Sequence, residues 1–251
     1  MLKVMNYIPL HVHSEYSLLD GLSKTSQISK RIEEIDASAC VLSDHGTVSG
    51  AVDFHKTLSD NDQKPILGCE MYICYGDPLD RTPDNRKLFH QVIIAKNLEG
   101  WKDLLSLVSL SNKKEQFYYK PRVSFDQISK VAKKGNLISF SGHLGSYVAN
   151  EITEDDNLCE DWEKKGTTAV KYLQNMFGKD NFFVEIQVLD AEEGDIGYKV
   201  ANSLREIAKK TGIPPVATPD AHYPRRGDAD DQRVLLSTSL KKSIGQIQRD
   251  I

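Results

Sequence analysis

Short apolar runs in this chain break off repeatedly at a histidine, aspartate or glutamate, and the apolar residues that follow return at helical spacing. Ile8-Pro9-Leu10 runs into His11-Val12-His13, Ala39–Leu42 into Ser43-Asp44-His45-Gly46, and Pro65–Leu67 into Gly68-Cys69-Glu70. Leu137–Phe140 leads to His143, and Pro215–Thr218 leads to Asp220-Ala221-His222. Phe89–Ala95 carries His90 at its start, and Phe182–Ile186 forms a further apolar run. Between the runs lie helical patterns, with Ile28, Ile32 and Ile35 on one stripe, then Val48–Leu58, then Trp101, Leu104, Leu105 and Val108. Phe125–Lys133, Thr168–Phe177 and Tyr198–Lys210 continue the series. Strand and helix signals thus alternate at least six times, which favours parallel βαβ units and an α/β fold. Polar groups gathered at strand ends point to a barrel with its site at the C-terminal face.

Chain length admits one large or two small domains, and no Gly/Pro/Ser-rich linker divides the 251 residues. One domain over residues 1–251 is expected, with a barrel over about 5–223 and a C-terminal loop and helix over 224–251. That helix would carry Leu235, Leu236 and Leu240 on its apolar side. A net charge of -4 argues against a protein that coats nucleic acid through general basicity. Cys40, Cys69, Cys74 and Cys159 form no CxxC pair and read as reduced thiols. With no membrane-length apolar run and no signal-peptide core, a cytoplasmic protein that does not engage a membrane is expected.

Alternate side chains of a strand share a face, so His11 and His13 can reach one ion from a single strand end. Asp20-Gly21 reads as a turn, and Ser23, Thr25 and Ser26 offer caps for the first helix. A carboxylate such as Glu70 inside an apolar run is costly to bury unless paired or bound to a cation. Six of the seven histidines stand at strand boundaries; only His55 lies mid-helix, where it reads as structural or solvated. With Asp20, Glu70 and Asp220 these histidines give nine N and O donors and no thiolate. That is too many for one four-coordinate zinc but fits two or three divalent ions sharing a carboxylate. Clustered divalent ions suit phosphoester hydrolysis. No nucleophile elbow or Gly-rich phosphate loop is present. The aromatic-basic stretch Phe117–Arg122 reads either as a packed cluster or as a base-stacking, phosphate-contacting loop. Arg122, Arg225 and Arg226 are candidate phosphate contacts.

The HxH, DH, strand-end Glu and DxH series resembles the PHP (polymerase and histidinol phosphatase) superfamily, and within it the PHP domain of bacterial replicative polymerase alpha subunits. The carrying segments are His11–Gly21, Ser43–Gly46, Leu67–Glu70, Ala95–Gly100, Tyr118–Arg122, Phe183–Gln187 and Ala217–Tyr223. The resemblance implies a distorted (β/α)7 barrel with three divalent ions, whether Zn²⁺, Mn²⁺ or Fe²⁺. It implies that His11, His13, Glu70 and Asp220 surround one ion and form the catalytic set. Glu70 would bridge to a second ion held by His90 and His143, and Asp20, His45 and His222 would hold the third. His143 departs from polymerase relatives, which often carry cysteine there, and matches the phosphatase branch. The activity implied is a metal-dependent phosphoesterase, most simply a 3′–5′ exonuclease on DNA ends in replication, working with polymerase or other replisome proteins. A structural docking module and a phosphatase of the histidinol phosphate type are the alternatives. No palm, fingers or thumb follows Asp228–Leu236, so no nucleotide polymerisation is expected of this chain alone.

Overall fold

The structure, a computed structural model, describes residues 7–187 and 194–246. Helix α1 (Thr25–Glu34) and strand β1 (Ala39–Leu42) lead to α2 (Ala51–Ser59), β2 (Lys64–Cys74), β3 (Leu88–Ala95) and α3 (Leu98–Ser111). The two-residue β4 (Val123–Ser124), α4 (Phe125–Ala132), β5 (Leu137–Phe140) and α5 (Tyr147–Ile152) follow. A small hairpin, β6 (Thr153–Glu154) and β7 (Asn157–Leu158), precedes α6 (Trp162–Phe177) and β8 (Phe182–Gln187). The described chain ends with α7 (Ile196–Thr211), β9 (Pro215–Thr218) and α8 (Ala229–Leu240).

The strands run in the order β1-β2-β3-β5-β8-β9, with β4 beside β2. The residues before α1 close this sheet on itself. On one side Val41 N–H donates to the Pro9 carbonyl and Ser43 N–H to that of Val12, both at 2.9 Å. On the other, His13 N–H donates to Ala221 O at 2.9 Å and Ala221 N–H to His11 O at 3.1 Å. The extended segment around His11 is therefore the seventh stave of a distorted α/β barrel, and the HxH pair sits where its two edges meet.

One strand departs from the parallel βαβ rhythm. β3 is antiparallel to both β2 and β5, whereas β1–β2, β5–β8 and β8–β9 are parallel. The connection before it is the Gly76–Arg86 loop with a short 3-10 turn at Pro83–Arg86, not a crossover helix. Reversal brings the start of β3, and with it His90, to the rim where the other strands end.

Apolar residues form three layers. Val41, Val92, Ile94 and Phe140 fill the barrel floor with Leu10, Ile66, Ile138, Phe183 and Val216 around them. Val12, Cys40 and Leu42 pack outward on Ile28 and Ile32 of α1 and Phe54 and Leu58 of α2. Met71, Ile73, Phe89 and Ile93 pack outward on helices α3 to α7. Because Val12 faces α1, its two histidine neighbours face the interior.

Several local expectations need correction. The acidic residues of 154–163 are solvent-exposed, but the segment is pinned from beneath. Ile152 and Cys159, 0% and 8% exposed, anchor the β6–β7 hairpin to the core, and α6 begins at Trp162 rather than Thr168. Gly166 permits that early start to pack, since a Cβ there would stand 2.3 Å from Ile207 Cδ1. The first helix is not capped by Ser23, Thr25 or Ser26; Lys24 flanks it, its N–H donating to the Gln27 side chain at 2.9 Å. Leu105 and Leu240 are exposed, while Gln232 is the buried residue of α8. All four cysteines are buried and unpaired. Among the described residues no helix is long and apolar enough to cross a membrane.

Candidate metal centre

At the mouth of the barrel nine side chains meet. Glu70, 1% exposed, lies at the middle. Its Oε1 is 2.8 Å from His143 Nε2 and 3.0 Å from His90 Nδ1. Its Oε2 is 2.7 Å from His45 Nδ1, 3.3 Å from His13 Nε2 and 3.7 Å from His11 Nε2. Asp220 Oδ1 stands 3.2 Å from His11 Nε2 and 3.3 Å from His13 Nε2. Asp20 Oδ2 stands 3.1 Å from His45 Nε2 and 3.8 Å from His222 Nε2, while the two imidazole nitrogens are 3.5 Å apart. Asp20 also forms the expected turn, its N–H donating to Ser17 O at 3.0 Å. His55 is exposed on α2 and takes no part.

The donor set passes a direct fit test for cations. His11 Nε2, His13 Nε2, His45 Nδ1, Glu70 Oε2 and Asp220 Oδ1 are buried and make no hydrogen bond. Five such atoms converging on one place is a costly arrangement unless something positive completes it. Atoms bound to one tetrahedral ion at about 2.0–2.1 Å lie roughly 3.3–3.4 Å from each other. The four contacts of His11 and His13 with Glu70 Oε2 and Asp220 Oδ1, 3.2–3.7 Å, have that spacing. Potential ligand groups overlap on His13, His45 and Glu70: His11-His13-Glu70, His45-Glu70-His90 and His13-His45-His222.

Proton placement sorts the histidines. The Nδ1–H of His11 donates to Glu185 Oε1 at 2.7 Å, and that carboxylate also accepts from Thr218 Oγ1 at 2.7 Å. His13 Nδ1–H donates to Ser17 Oγ at 3.1 Å, whose own proton goes to Asp44 Oδ1 at 2.7 Å. His222 Nδ1–H donates to Asp220 O at 3.0 Å. In each case Nε2 is the nitrogen left aimed at the centre, so loss of any proton there gives the tautomer a metal ligand needs. His143 is wired the other way. Gly145 N–H donates to its Nδ1 at 3.0 Å, so the proton sits on Nε2 and is donated to Glu70. To ligate through Nε2 this ring must give up the Gly145 contact.

The charges are strongly coupled. Burial opposes ionisation of Glu70 and Asp220, yet the surrounding imidazoles hold both carboxyls well below their usual range. Burial also opposes a charge on His11 and His45, but nearby carboxylates push His11 well up and His45 up to about 9. His143 is raised against burial by Glu70. Burial wins at His13, helped by repulsion from His45 and His222, and at His90. Protonated imidazoles thus occupy, at a cost, a role that divalent ions can fill.

Backbone geometry aims the ligands. Glu70 pairs with Val92 and Tyr72 with His90 across β2–β3, so Glu70 and His90 are diagonal neighbours on one face. Asp220 adopts φ 45°, a left-handed conformation that aspartate tolerates better than most, and its Oδ2 accepts from Gln187 Nε2 at 2.7 Å. Asp44, although next to His45, points away and binds Ser14 and Ser17. Glu185, Thr218, Ser17 and Asp44 are outside the nine groups expected from sequence. Glu185 carries the same signal as Glu70, a carboxylate inside an apolar run.

Arg122 is not a DNA contact. It is 1% exposed, donates to Asn85 O at 2.7 Å and to Tyr118 O, and stacks on the Tyr118 ring. Its guanidinium fastens the loop from inside. Arg225 pairs with Glu34 of α1. Arg226 begins a short turn (Arg226–Asp228) and is exposed. A groove of 390 Å³ opens beside the centre between Asp20, Asp220, His222, Tyr223 and the α8 residues Gln232 and Leu236.

The sequence matches the PHP domain family over residues 9–188. It is 34% identical over 243 residues to the DNA polymerase III alpha subunit of Treponema pallidum, covering 95% of this chain and 20% of that one. The alpha subunit of Aquifex aeolicus is 33% identical over 254 residues, covering 96% of this chain and 20% of that one. The chain therefore spans about a fifth of the length of these relatives. An amidohydrolase from Chromobacterium violaceum, solved with sulfate and no metal, superposes with a TM-score of 0.57 at 13% identity, covering 88% of each chain. At that identity the likeness concerns the fold alone.

Proposed function

The chain belongs to the PHP domain family, and from that premise we propose that it is a metal-dependent phosphoesterase acting on DNA 3′ ends as a 3′–5′ exonuclease. The observation that carries this reading is the clustering of Glu70 with eight other N and O donor side chains, five atoms of the nine groups being buried without a hydrogen bond. His11, His13, Glu70 and Asp220 would hold one ion, Glu70 with His90 and His143 a second, and Asp20, His45 and His222 a third. Zn²⁺, Mn²⁺ or Fe²⁺ would suit these ligands. Bound there, the ions supply Lewis acidity toward a phosphoryl group and activate water at neutral pH.

The chain's own residues supply the rest. Glu185, Ser17 and the Asp220 carbonyl hold three imidazoles in the ligating tautomer. Floor residues Val41, Val92, Ile94 and Phe140 pack as a buried apolar layer below the centre. The groove beside Asp20 and His222 leaves room for a leaving nucleotide. The similarity to polymerase alpha subunits supports DNA as the substrate and a replication setting with polymerase partners in the cytoplasm. A docking role beside a polymerase body is the second reading, favoured by the chain's matching a fifth of those relatives.

The test is release of nucleotides from a 3′-labelled oligonucleotide by the purified chain with Mn²⁺ or Zn²⁺, with a generic phosphomonoester alongside. Activity that EDTA abolishes, and that a His13→Ala, His45→Ala double variant lacks while still folded, is the expected result. Near-stoichiometric metal with no cleavage of single-stranded, duplex or mismatched ends would overturn it in favour of docking. Turnover of the phosphomonoester alone would favour a small-molecule phosphatase.

A further inference from the structure

The aromatic-basic loop Phe117–Arg122 carries a cation that does face the centre, and it is Lys120. Its Nζ donates to the Tyr72 hydroxyl at 2.9 Å and lies 4.3 Å from the Tyr72 ring centroid. That ring stacks at 5.8 Å on His45 and meets His90 edge-on at 5.0 Å. Lys120 is therefore one side chain removed from two of the nine donors. Packing makes its ammonium easier to deprotonate, and the Asp20 and Glu70 carboxylates oppose this from across the mouth.

The loop is built to hold that position. Arg122 locks its base through the Asn85 and Tyr118 carbonyls, and Gln116 Nε2 donates to Arg122 O at 2.9 Å. Tyr118 and Lys120 form a bridge around Tyr119, which takes φ 61° at the tip. Pro121 rests on the turn after His45. Gly46, at φ 61°, has no side chain there, and a Cβ would stand 2.6 Å from Pro121 Cγ. The loop thus abuts the metal-ligating turn itself. Tyr119 is 72% exposed, and its outer partner is Arg86, whose guanidinium lies 5.2 Å from its ring centroid.

We propose that this loop is a nucleotide-gripping lip, in which Lys120, held by Tyr72, binds a backbone phosphate of the substrate strand and Tyr119 with Arg86 offers a stacking surface for its base. The inference rests on the phosphoesterase reading and adds the groups that would hold the substrate strand and favour it over a small phosphomonoester. A cation beside the ions pairs with the non-reacting phosphate charge. An exposed tyrosine face accepts any base, as a sequence-tolerant nuclease requires.

The experiment compares the Mn²⁺-loaded parent with Lys120→Ala, Lys120→Arg and Tyr119→Ala, with metal content and melting measured for each. A fluorescein-labelled oligothymidylate is the binding probe, followed by anisotropy across a salt series with Mn²⁺ and again with EDTA. KM and kcat are measured on the same oligonucleotide and on p-nitrophenyl phosphate. Lys120→Ala is expected to weaken oligonucleotide binding about tenfold and flatten the salt slope by about 0.7, with the loss on KM rather than kcat. Lys120→Arg should restore most of it. Tyr119→Ala should lower the preference for oligonucleotide over p-nitrophenyl phosphate by about tenfold. Cleavage by the parent with equal KM and salt slope in Lys120→Ala would overturn the lip while leaving the phosphoesterase reading intact. Lys120-dependent binding without cleavage would sink the nuclease reading and leave the lip standing. No oligonucleotide binding by the parent would overturn the lip.

Discussion

On β2, Ile66 belongs to the floor of the barrel and Glu70 to its mouth; on β3, Ile94 and Val92 belong to the floor and His90 to the mouth. The two regions share strands, register and burial, and differ only in the chemistry of the inward side chains. Dispersion and the hydrophobic effect hold the floor without help. The mouth packs three carboxylates against six imidazoles, and its proton distribution is a compromise among groups that burial would keep neutral. Closed packing below and unsatisfied ligands above teach that this barrel separates the element that makes it fold from the element that would hold metal.

Cutting at Glu70 should give the largest effect. Glu70→Gln removes the charge that touches five imidazoles, and the expected outcome is at least a thousandfold loss of phosphoesterase turnover, about 4 kcal/mol of barrier. Elemental analysis should show fewer bound ions per chain, and full occupancy with retained turnover would break the contrast. Phe140→Ala strikes the floor instead. That residue is 2% exposed, so a loss of about 3–5 kcal/mol in denaturant unfolding is expected, with metal content held. Loss of metal together with stability would mean that the two layers are not separable.

Glu185→Gln lies between the layers, because it touches His11 and Thr218 but none of the other eight donors in its hydrogen bonds. It should weaken metal binding about 10–100-fold in a competition titration with a chelator, with folding kept. His143→Asn should cost less than Glu70→Gln, since His143 is held in the non-ligating tautomer by Gly145. Equal losses would show that its ring turns over when metal binds.

A pH series sharpens the same comparison by the smallest step. Burial opposes a charge on His45, but Glu70 and Asp20 raise it to about 9 in the metal-free protein. Its folded value is above the unfolded value near 6.5, so its contribution is fully present below about pH 6.5 and fades as pH rises toward 9. Metal requires neutral imidazoles, so its stabilisation grows across that window. The drop in Tm caused by EDTA should therefore be larger at pH 9 than at pH 6, and a constant drop would mean that His45 does not bind metal.

Sequence alone carried much of the site. Alternation in a strand puts His11 and His13 on one face, and apolar runs that stop at a polar group mark His45, His143, Asp220 and His222. Glu70 reads the same way but lies inside β2, four residues before its end. The structure brings these together with Asp20 and His90. Local chemistry suffices there because strand direction and side-chain period are properties of a few adjacent residues. The same reading passed over Glu185, whose carboxylate is marked by its apolar neighbours, and gave phosphate contact to Arg122, whose charge is spent inside its loop.

What the tertiary structure decided is direction and partnership. His90 stands at the start of its strand, which in an all-parallel barrel is the wrong end; only the reversal of β3 between β2 and β5 carries it to the mouth. Nothing in Phe89–Ala95 encodes that reversal, because a strand's apolar pattern reads the same in both directions. The choice between Arg122 and Lys120 was equally beyond the sequence. Both are cations in one loop, and what separates them is the φ 61° turn at Tyr119 and the bare Gly46 surface that seats Pro121. Residue type and spacing determine which groups can bind; which of them meet is set by contacts between segments far apart in the chain, where the energy of one side chain depends on the placement of all the others.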